Sequence, residues 1–231
     1  MIKNYALGAL ISLIVVFFGS CNNAGKSASV SAEAVDKDTS YGFGLLLASQ
    51  FRNIGLRFDY NEMAQGFKDA LEGNNPRISL EEAGMKVQLA FTAVMEKEAS
   101  ANMEKGNTFL AENAQKSGMS ITQSGLQYEV ISEGAGESPM SSDTVRVNYE
   151  GTFIDGIVFD SSYTRGEPVE FRLDQVIPGW TEGLQLMRVG SSYRFFIPSN
   201  LAYGEAGREN IPPNSVLIFK VDLLDILPPQ E

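Results

Sequence analysis

The sequence predicts an α+β protein, in which an N-terminal helical arm with a long connecting helix precedes a twisted antiparallel β-sheet wrapped on one short helix. Residues 79–118 carry helix caps at both ends without an internal break. From residue 125 onward, β-branched and aromatic residues alternate with polar ones in short runs separated by turn sequences. Among these runs, the segment 179–187 has helix signals, because Pro178 precedes it and Gly190 follows it.

Residues 1–20 have the features of a bacterial lipoprotein signal peptide. Lys3 precedes an apolar run of about 14 residues, which is shorter than the ~20 that a membrane-spanning helix needs. Two small residues stand before Cys21, and this resembles a lipobox, in which the cysteine is lipidated; Phe18 departs from the commonest residue, leucine. The alternative is a plain secretory signal, although a free exposed thiol is a liability in an oxidising compartment.

Residues 21–40 predict a flexible linker, because they are small and polar and have no periodicity. Such a chain reaches on the order of 25 Å, enough to hold a folded body clear of a lipid surface. Asn22 stands where aspartate is associated with inner-membrane retention in enteric bacteria. The expected location is therefore periplasmic and lipid-anchored, with the outer membrane favoured and surface display left open.

Residues 41–120 predict a helical domain. The expected helices span 41–54, with Thr39 and Ser40 as caps, 61–71 and 79–118. In the third, Ser79 caps the start, Glu82 completes a capping box and Gly118 stops a helix of about 57 Å. Its first half is too apolar to remain exposed to water, so we expect it to pack against a second copy in a homodimer. The alternative is a helical hairpin that folds back on the β domain, residues 121–231.

Composition excludes several function classes. The formal net charge of −11 argues against nucleic acid as a partner. The chain has no histidine and one cysteine, so Ser-His and Cys-His nucleophiles and histidine metal sites have nothing to be built from. We expect no metal and no cofactor.

Three ordered blocks in the β domain carry a specific resemblance. They read VRVNYEGTFIDGIVFDSSYTRGEPVEFRL, VIPGWTEGLQLMRVG and LAYGEAGRENIPPNSVLIFKVDLLDI. Together they resemble the FKBP-type peptidyl-prolyl isomerases, and the helical arm looks more loosely like the dimerisation region of the bacterial FkpA/Mip group. The resemblance implies a V-shaped homodimer with stalk helices, cis-trans rotation of X-Pro bonds in folding proteins, chaperone-like holding, and macrolides as inhibitors.

The resemblance assigns a proline-binding pocket to particular residues. Trp180, the single tryptophan, would form the floor under the proline ring, since an indole is large, flat and apolar. The expected walls are Tyr149, Phe159, Val176, Ile177, Tyr203, Ile211 and Phe219. The alternative for Trp180 is an ordinary core position, which the surrounding blocks disfavour.

The same resemblance assigns the polar groups of the pocket. Asp160 would contact Tyr149 and Arg165 and place a negative charge beside the twisting amide; the alternative is a turn cap. The Tyr203 hydroxyl would bind the substrate carbonyl, and the Ile177 N–H the far side of the peptide. The alternative for Tyr203 is a half-buried packing residue without a role in binding.

Three positions depart from the family pattern. Val169 stands where many eukaryotic members have an aromatic wall, Gln175 replaces a frequent glutamate, and Arg208 lies where a histidine is often found. These changes predict weaker macrolide binding and an altered preference for the residue before proline.

Three functions remain open from the sequence. The leading hypothesis is an isomerase that assists the folding of exported proteins. The second is a lipid-anchored holdase with little isomerase activity, and the third is an envelope adhesin or scaffold. Asp160, Trp180 and Tyr203 together favour the first, and the absence of repeats disfavours the third.

Overall fold

The structure is a computed structural model that describes residues 34–52 and 54–227. The predicted signal peptide and Cys21 lie outside this part of the chain. The described chain divides between Gln50 and Phe51 into two units, and the first contains helix α1, Lys37–Ser49. No helix in the described ranges is both long and apolar enough to cross a membrane.

Helix α1 starts earlier than the caps at Thr39 and Ser40 predict. The Asp36 carboxylate accepts a hydrogen bond from the Thr39 N–H at 2.7 Å, so the first turn forms ahead of both residues. The helix ends at Ser49 instead of continuing to residue 54. The predicted bounds of this helix were therefore wrong at both ends, although its existence is confirmed.

The second unit begins with two further helices, α2 (Tyr60–Glu72) and α3 (Leu80–Asn113). Ser79 caps α3 as predicted and accepts a hydrogen bond from the Glu82 N–H at 3.1 Å. The helix ends at Asn113, five residues before Gly118. The buried Asn113 side chain donates to Gln127 Oε1 at 2.9 Å and attaches this last turn to the sheet.

Seven strands form one antiparallel sheet within the described residues, in the order β1-β2-β6-β7-β3-β4, with β5 paired to β3. The strands are β1 Met119–Ile121, β2 Gln127–Ser132, β3 Thr144–Thr152, β4 Val158–Ser161, β5 Val169–Arg172, β6 Ser192–Ile197 and β7 Leu217–Leu227. Two helices join them, α4 Ser162–Arg165 and α5 Pro178–Leu184. Helix α5 is the short helix predicted for this domain, and α4 is an additional single turn that Ser161 caps.

The core lies between the sheet and α5. Helix α5 approaches the sheet closely at Gly183, where an added Cβ would lie 2.7 Å from the Phe195 ring. Buried side chains from β3, β6 and β7 pack around this helix. Fully buried members are Leu126, Val145, Val147, Leu173, Leu184, Met187, Phe195, Ile197, Leu217, Val221 and Leu223.

The C-terminal half of α3 packs against this domain. Asn102 Nδ2 donates to the Pro213 carbonyl at 2.9 Å, and the Phe109 and Phe196 rings lie 6.0 Å apart. The N-terminal half instead leaves large apolar side chains exposed, including Leu80 at 86% and Leu89 at 69%. One helix thus combines a half that packs against the domain with an apolar half that the residues described by the structure leave exposed.

Candidate active site

A cavity of about 420 Å³ opens beside α5, and most of its lining is aromatic or aliphatic. Strands β3, β4, β5 and β7, the start of α5 and the loop after β6 all contribute side chains. The lining residues are Tyr149, Phe159, Asp160, Phe171, Gln175, Val176, Ile177, Trp180, Tyr203, Arg208 and Phe219. A concave apolar site with a few polar groups at its edge is the usual form of a small-ligand pocket.

Trp180 lies against three other rings in this cavity. The indole is 4% exposed and meets Tyr149, Phe171 and Phe219 at centroid distances of 5.1, 5.3 and 5.2 Å, respectively. All three contacts are edge-to-face, the arrangement that the quadrupoles of aromatic rings favour. Its Nε1 has no hydrogen-bond partner among residues 34–52 and 54–227. The indole is thus fixed by packing and not by a polar contact.

Gly151 leaves space for two further rings of the cavity. Phe159 and Phe219 meet edge-to-face at 5.5 Å. An added Cβ on Gly151 would lie 2.7 Å from Phe159 and 2.8 Å from Phe219, closer than carbon atoms can approach. A residue with a side chain at this position would therefore displace the cavity wall.

A polar network borders the aromatic cavity. The Tyr149 hydroxyl donates to Asp160 Oδ2 at 2.5 Å, and Arg165 Nη2 donates to the Tyr149 oxygen at 2.8 Å. Arg165 also forms an ion pair with Asp160. The short helix α4 places the guanidinium there, five residues after the carboxylate. Both oxygens of Asp160 are thus held in fixed directions beside the floor of the cavity.

These contacts determine the charge of the network. Burial by itself raises the pKa of Asp160, but hydrogen bonds from Tyr149 and Arg165 and the charge of Arg165 outweigh it and leave the pKa below its ordinary value. Burial and the bond to Asp160 raise the pKa of Tyr149. At neutral pH the network therefore holds an ionised carboxylate and a neutral phenol.

A loop after β6 also contributes to the rim of the cavity. Tyr203 lies in this loop, and the Arg208 guanidinium carbon is 5.7 Å from the centre of its ring. Ile177 lies at the start of α5, where its carbonyl accepts hydrogen bonds from the N–H groups of Trp180 and Thr181. The rim thus brings a phenol, a cation and a helix start to one opening.

Eight of the residues assigned to the pocket from the sequence lie together at this cavity. They are Tyr149, Phe159, Asp160, Val176, Ile177, Trp180, Tyr203 and Phe219. Arg165 is paired with Asp160 but does not line the cavity, nor do Ile211, which belongs to the buried core, and Val169, which packs against that core.

Phe171, which was not predicted as a site residue, lines the cavity instead of Val169. Both residues lie on β5 and, two positions apart, share one face of the strand. The Phe171 ring is long enough to reach Trp180, whereas the shorter Val169 stays in the core. The alternation of side chains along β5 predicts that Val169 and Phe171 share a face of the strand, but it does not predict which of them reaches the cavity.

A family model described as FKBP-type peptidyl-prolyl cis-trans isomerase matches residues 135–224, and one described as the domain amino terminal to it matches residues 36–130. The chain belongs to the FKBP-type peptidyl-prolyl cis-trans isomerases.

Individual relatives agree with this assignment. The chain is 42% identical over 212 residues to the isomerase FkpA of Aeromonas hydrophila, covering 86% of this chain and 79% of that protein. It is 42% identical to a protein named outer membrane protein MIP of Legionella longbeachae, covering 83% and 86%. The crystal structure of FkpA from Escherichia coli has a TM-score of 0.65 at 41% identity, covering 85% and 98%. The predicted family, fold class and enzyme activity are thereby confirmed.

Proposed function

We propose that the cavity seats the proline ring of a folding polypeptide on the Trp180 face and rotates the preceding peptide bond without covalent chemistry. The observation that carries this proposal is the aromatic cavity bordered by the Tyr149, Asp160 and Arg165 network. An aromatic floor matches the flat, apolar pyrrolidine ring, and the fixed carboxylate lies next to it. The substrates are then proteins that contain X-Pro bonds.

The energetic requirement is moderate. Amide resonance gives the bond a rotation barrier of about 18–20 kcal/mol. Acceleration from about 10⁻² s⁻¹ to about 10³ s⁻¹ requires a barrier lower by about 7 kcal/mol. Because no bond is made or broken, binding the twisted amide more tightly than the planar one is sufficient.

The residues of the cavity supply this difference in three ways. A water-poor pocket disfavours the planar amide, since resonance separates charge between its oxygen and nitrogen. The Tyr203 hydroxyl donates to the carbonyl of the residue before proline, and the Ile177 N–H holds the chain on the far side. Asp160 remains ionised beside the twisting bond because Arg165 and Tyr149 hold it in place.

A direct test measures the cis-to-trans relaxation rate of a short Leu-Pro peptide with the full-length chain, Asp160→Ala and Tyr203→Phe. We expect a large acceleration that falls in both variants while their circular dichroism stays unchanged. As a matched control, Tyr41→Phe removes an exposed hydroxyl from α1 and should retain the full rate. No acceleration by the unchanged chain would favour a holdase that only recognises chains.

The helical arm supports a second part of the proposal, a homodimer through residues 41–120. Leu80, Val87 and Leu89 on α3 are 86%, 54% and 69% exposed, and α1 exposes further apolar residues. A second copy would remove these side chains from water. Sedimentation equilibrium of the full-length chain against Leu80→Glu with Leu89→Glu tests it, and a monomer at micromolar concentration in both would contradict it.

Lipidation at Cys21 and a periplasmic, outer-membrane location complete the proposal. They rest on residues 1–21 and on the name of the Legionella longbeachae relative. Palmitate labelling of the unchanged chain and of Cys21→Ser, followed by membrane fractionation, tests the anchor. No labelling of the unchanged chain would leave a plain secretory signal, and equal labelling of both chains would place the lipid on a residue other than Cys21.

Macrolides would occupy the cavity in place of proline. Their competition with the Leu-Pro peptide in the relaxation assay measures this binding.

A further inference from the structure

Arg208 holds a fixed position at the rim of the cavity. Its N–H donates to the Ile211 carbonyl and its carbonyl accepts from the Ile211 N–H, both at 2.8 Å. The preceding Gly207 has φ +65°, and an added Cβ there would lie 2.3 Å from the Ile211 oxygen. The backbone at Arg208 is therefore fixed, and its side chain lines the cavity with the guanidinium carbon 5.7 Å from the centre of the Tyr203 ring.

The charge of Arg208 is not neutralised by an ion pair within the described ranges 34–52 and 54–227. Asp160, the carboxylate of the cavity lining, is paired with Arg165. Glu205 and Glu209 lie on the same loop and are exposed, but neither forms an ion pair with Arg208. The rim thus presents a cation in a protein whose formal net charge is −11.

We propose that Arg208 selects substrates with an acidic side chain immediately before proline. This inference rests on the proposed function, in which Tyr203 binds the carbonyl of that preceding residue. A guanidinium held over the Tyr203 ring then lies beside the side chain of the same residue. Its planar donors match a carboxylate, and the cation–π contact keeps the charge beside the Tyr203 ring.

Coulomb's law gives the size of the preference. For unit charges about 6 Å apart, effective dielectric constants between about 80 and 40 correspond to about 3- to 10-fold in kcat/KM. The effect is limited because the rim is open to solvent and salt. A lysine before proline should be disfavoured by a similar factor.

The experiment compares three peptides that differ only before proline: Glu-Pro, Gln-Pro and Lys-Pro. The full-length chain should process them in the order Glu, Gln, Lys, with a Glu-to-Gln ratio of about 3 to 10 at low salt. Arg208→Gln should bring this ratio close to one, and Arg208→Glu should reverse the order. Arg188→Gln changes the net charge equally outside the cavity lining and should keep the ratio of the unchanged chain.

The outcomes separate this inference from the function on which it rests. If none of the peptides is accelerated, the proposed function fails. If all three are accelerated equally by the unchanged chain, isomerisation at the cavity stands and selection by Arg208 is overturned. A preference that survives in Arg208→Gln, or that Arg188→Gln removes as strongly, would also overturn it, because the cause would then be the general field of the protein.

Discussion

The junction between α3 and the catalytic domain can be tested at Gly106. This residue is buried in the helix, and an added Cβ would lie 2.7 Å from Val216 Cγ2. Gly106→Ala therefore combines two opposite effects. Alanine favours a helix over glycine by about 1 kcal/mol, and overpacking against Val216 costs about 1–3 kcal/mol. We expect a net loss of up to about 2 kcal/mol in the free energy of unfolding.

A double-mutant cycle separates the two effects. Val216→Ala removes the clashing methyl groups and costs about 1.6 kcal/mol from lost burial. In that background the helix preference of alanine remains but the clash is gone, so Gly106→Ala should stabilise the protein. The coupling free energy between the two sites should be about 1–3 kcal/mol.

Urea unfolding at a fixed protein concentration, followed by Trp180 fluorescence, measures all four proteins. Fluorescence of this residue reports the domain to which α3 is attached, because Trp180 lies in its core. If Gly106→Ala had the same effect with Val216 present and absent, α3 would not approach Val216 as the structure has it. The helix would then lack a fixed packing contact with the domain at this position.

Three further predictions concern the cavity. The pKa of Asp160 lies below the ordinary 3.8. The contribution of the ionised carboxylate to the isomerisation rate is therefore complete above pH 3.8 and is lost as the pH falls through the lowered pKa. The rate with an uncharged peptide should then be constant from about pH 7 to about pH 5, and a titration with a midpoint inside this range would refute the assignment. Gly151→Ala should lower kcat/KM about 10-fold by moving the Phe159 ring, consistent with overpacking of ~1.4 kcal/mol; Gly66→Ala, with open space around its Cα, should not. Titration with a Leu-Pro peptide should change Trp180 fluorescence with a saturation constant close to KM, and unchanged emission at saturating peptide would place the proline elsewhere.

The sequence located most of the fold through signals that act over a few residues. Ser79 caps α3 with the N–H of Glu82, and Pro178 starts α5, because each cap or start depends on neighbours within one turn. The same reasoning failed at α1, where the N-cap is Asp36 and not Thr39 or Ser40. Local signals thus predict that a helix exists better than they predict where it begins.

The cavity shows where local reasoning ends. Val169 and Phe171 share one face of β5, and only the packing of that strand over α5 decides which side chain reaches Trp180. The domain boundaries at residues 20, 40 and 120 stay predictions. The attachment of α3 past Asn102 likewise depends on contacts with residues from later elements, including Pro213, which lies 111 positions after Asn102.

The sequence by itself determined the fold class, the absence of histidine chemistry and the family, because composition, caps, alternation and three ordered motifs are properties of the chain alone. Tertiary structure decided that Arg165 pairs with Asp160 and that Arg208 lies over Tyr203 at the opening. Each of these contacts depends on how strands, short helices and loops are placed around α5. Electrostatic and packing energies depend on such distances, and the order of residues along the chain does not specify them.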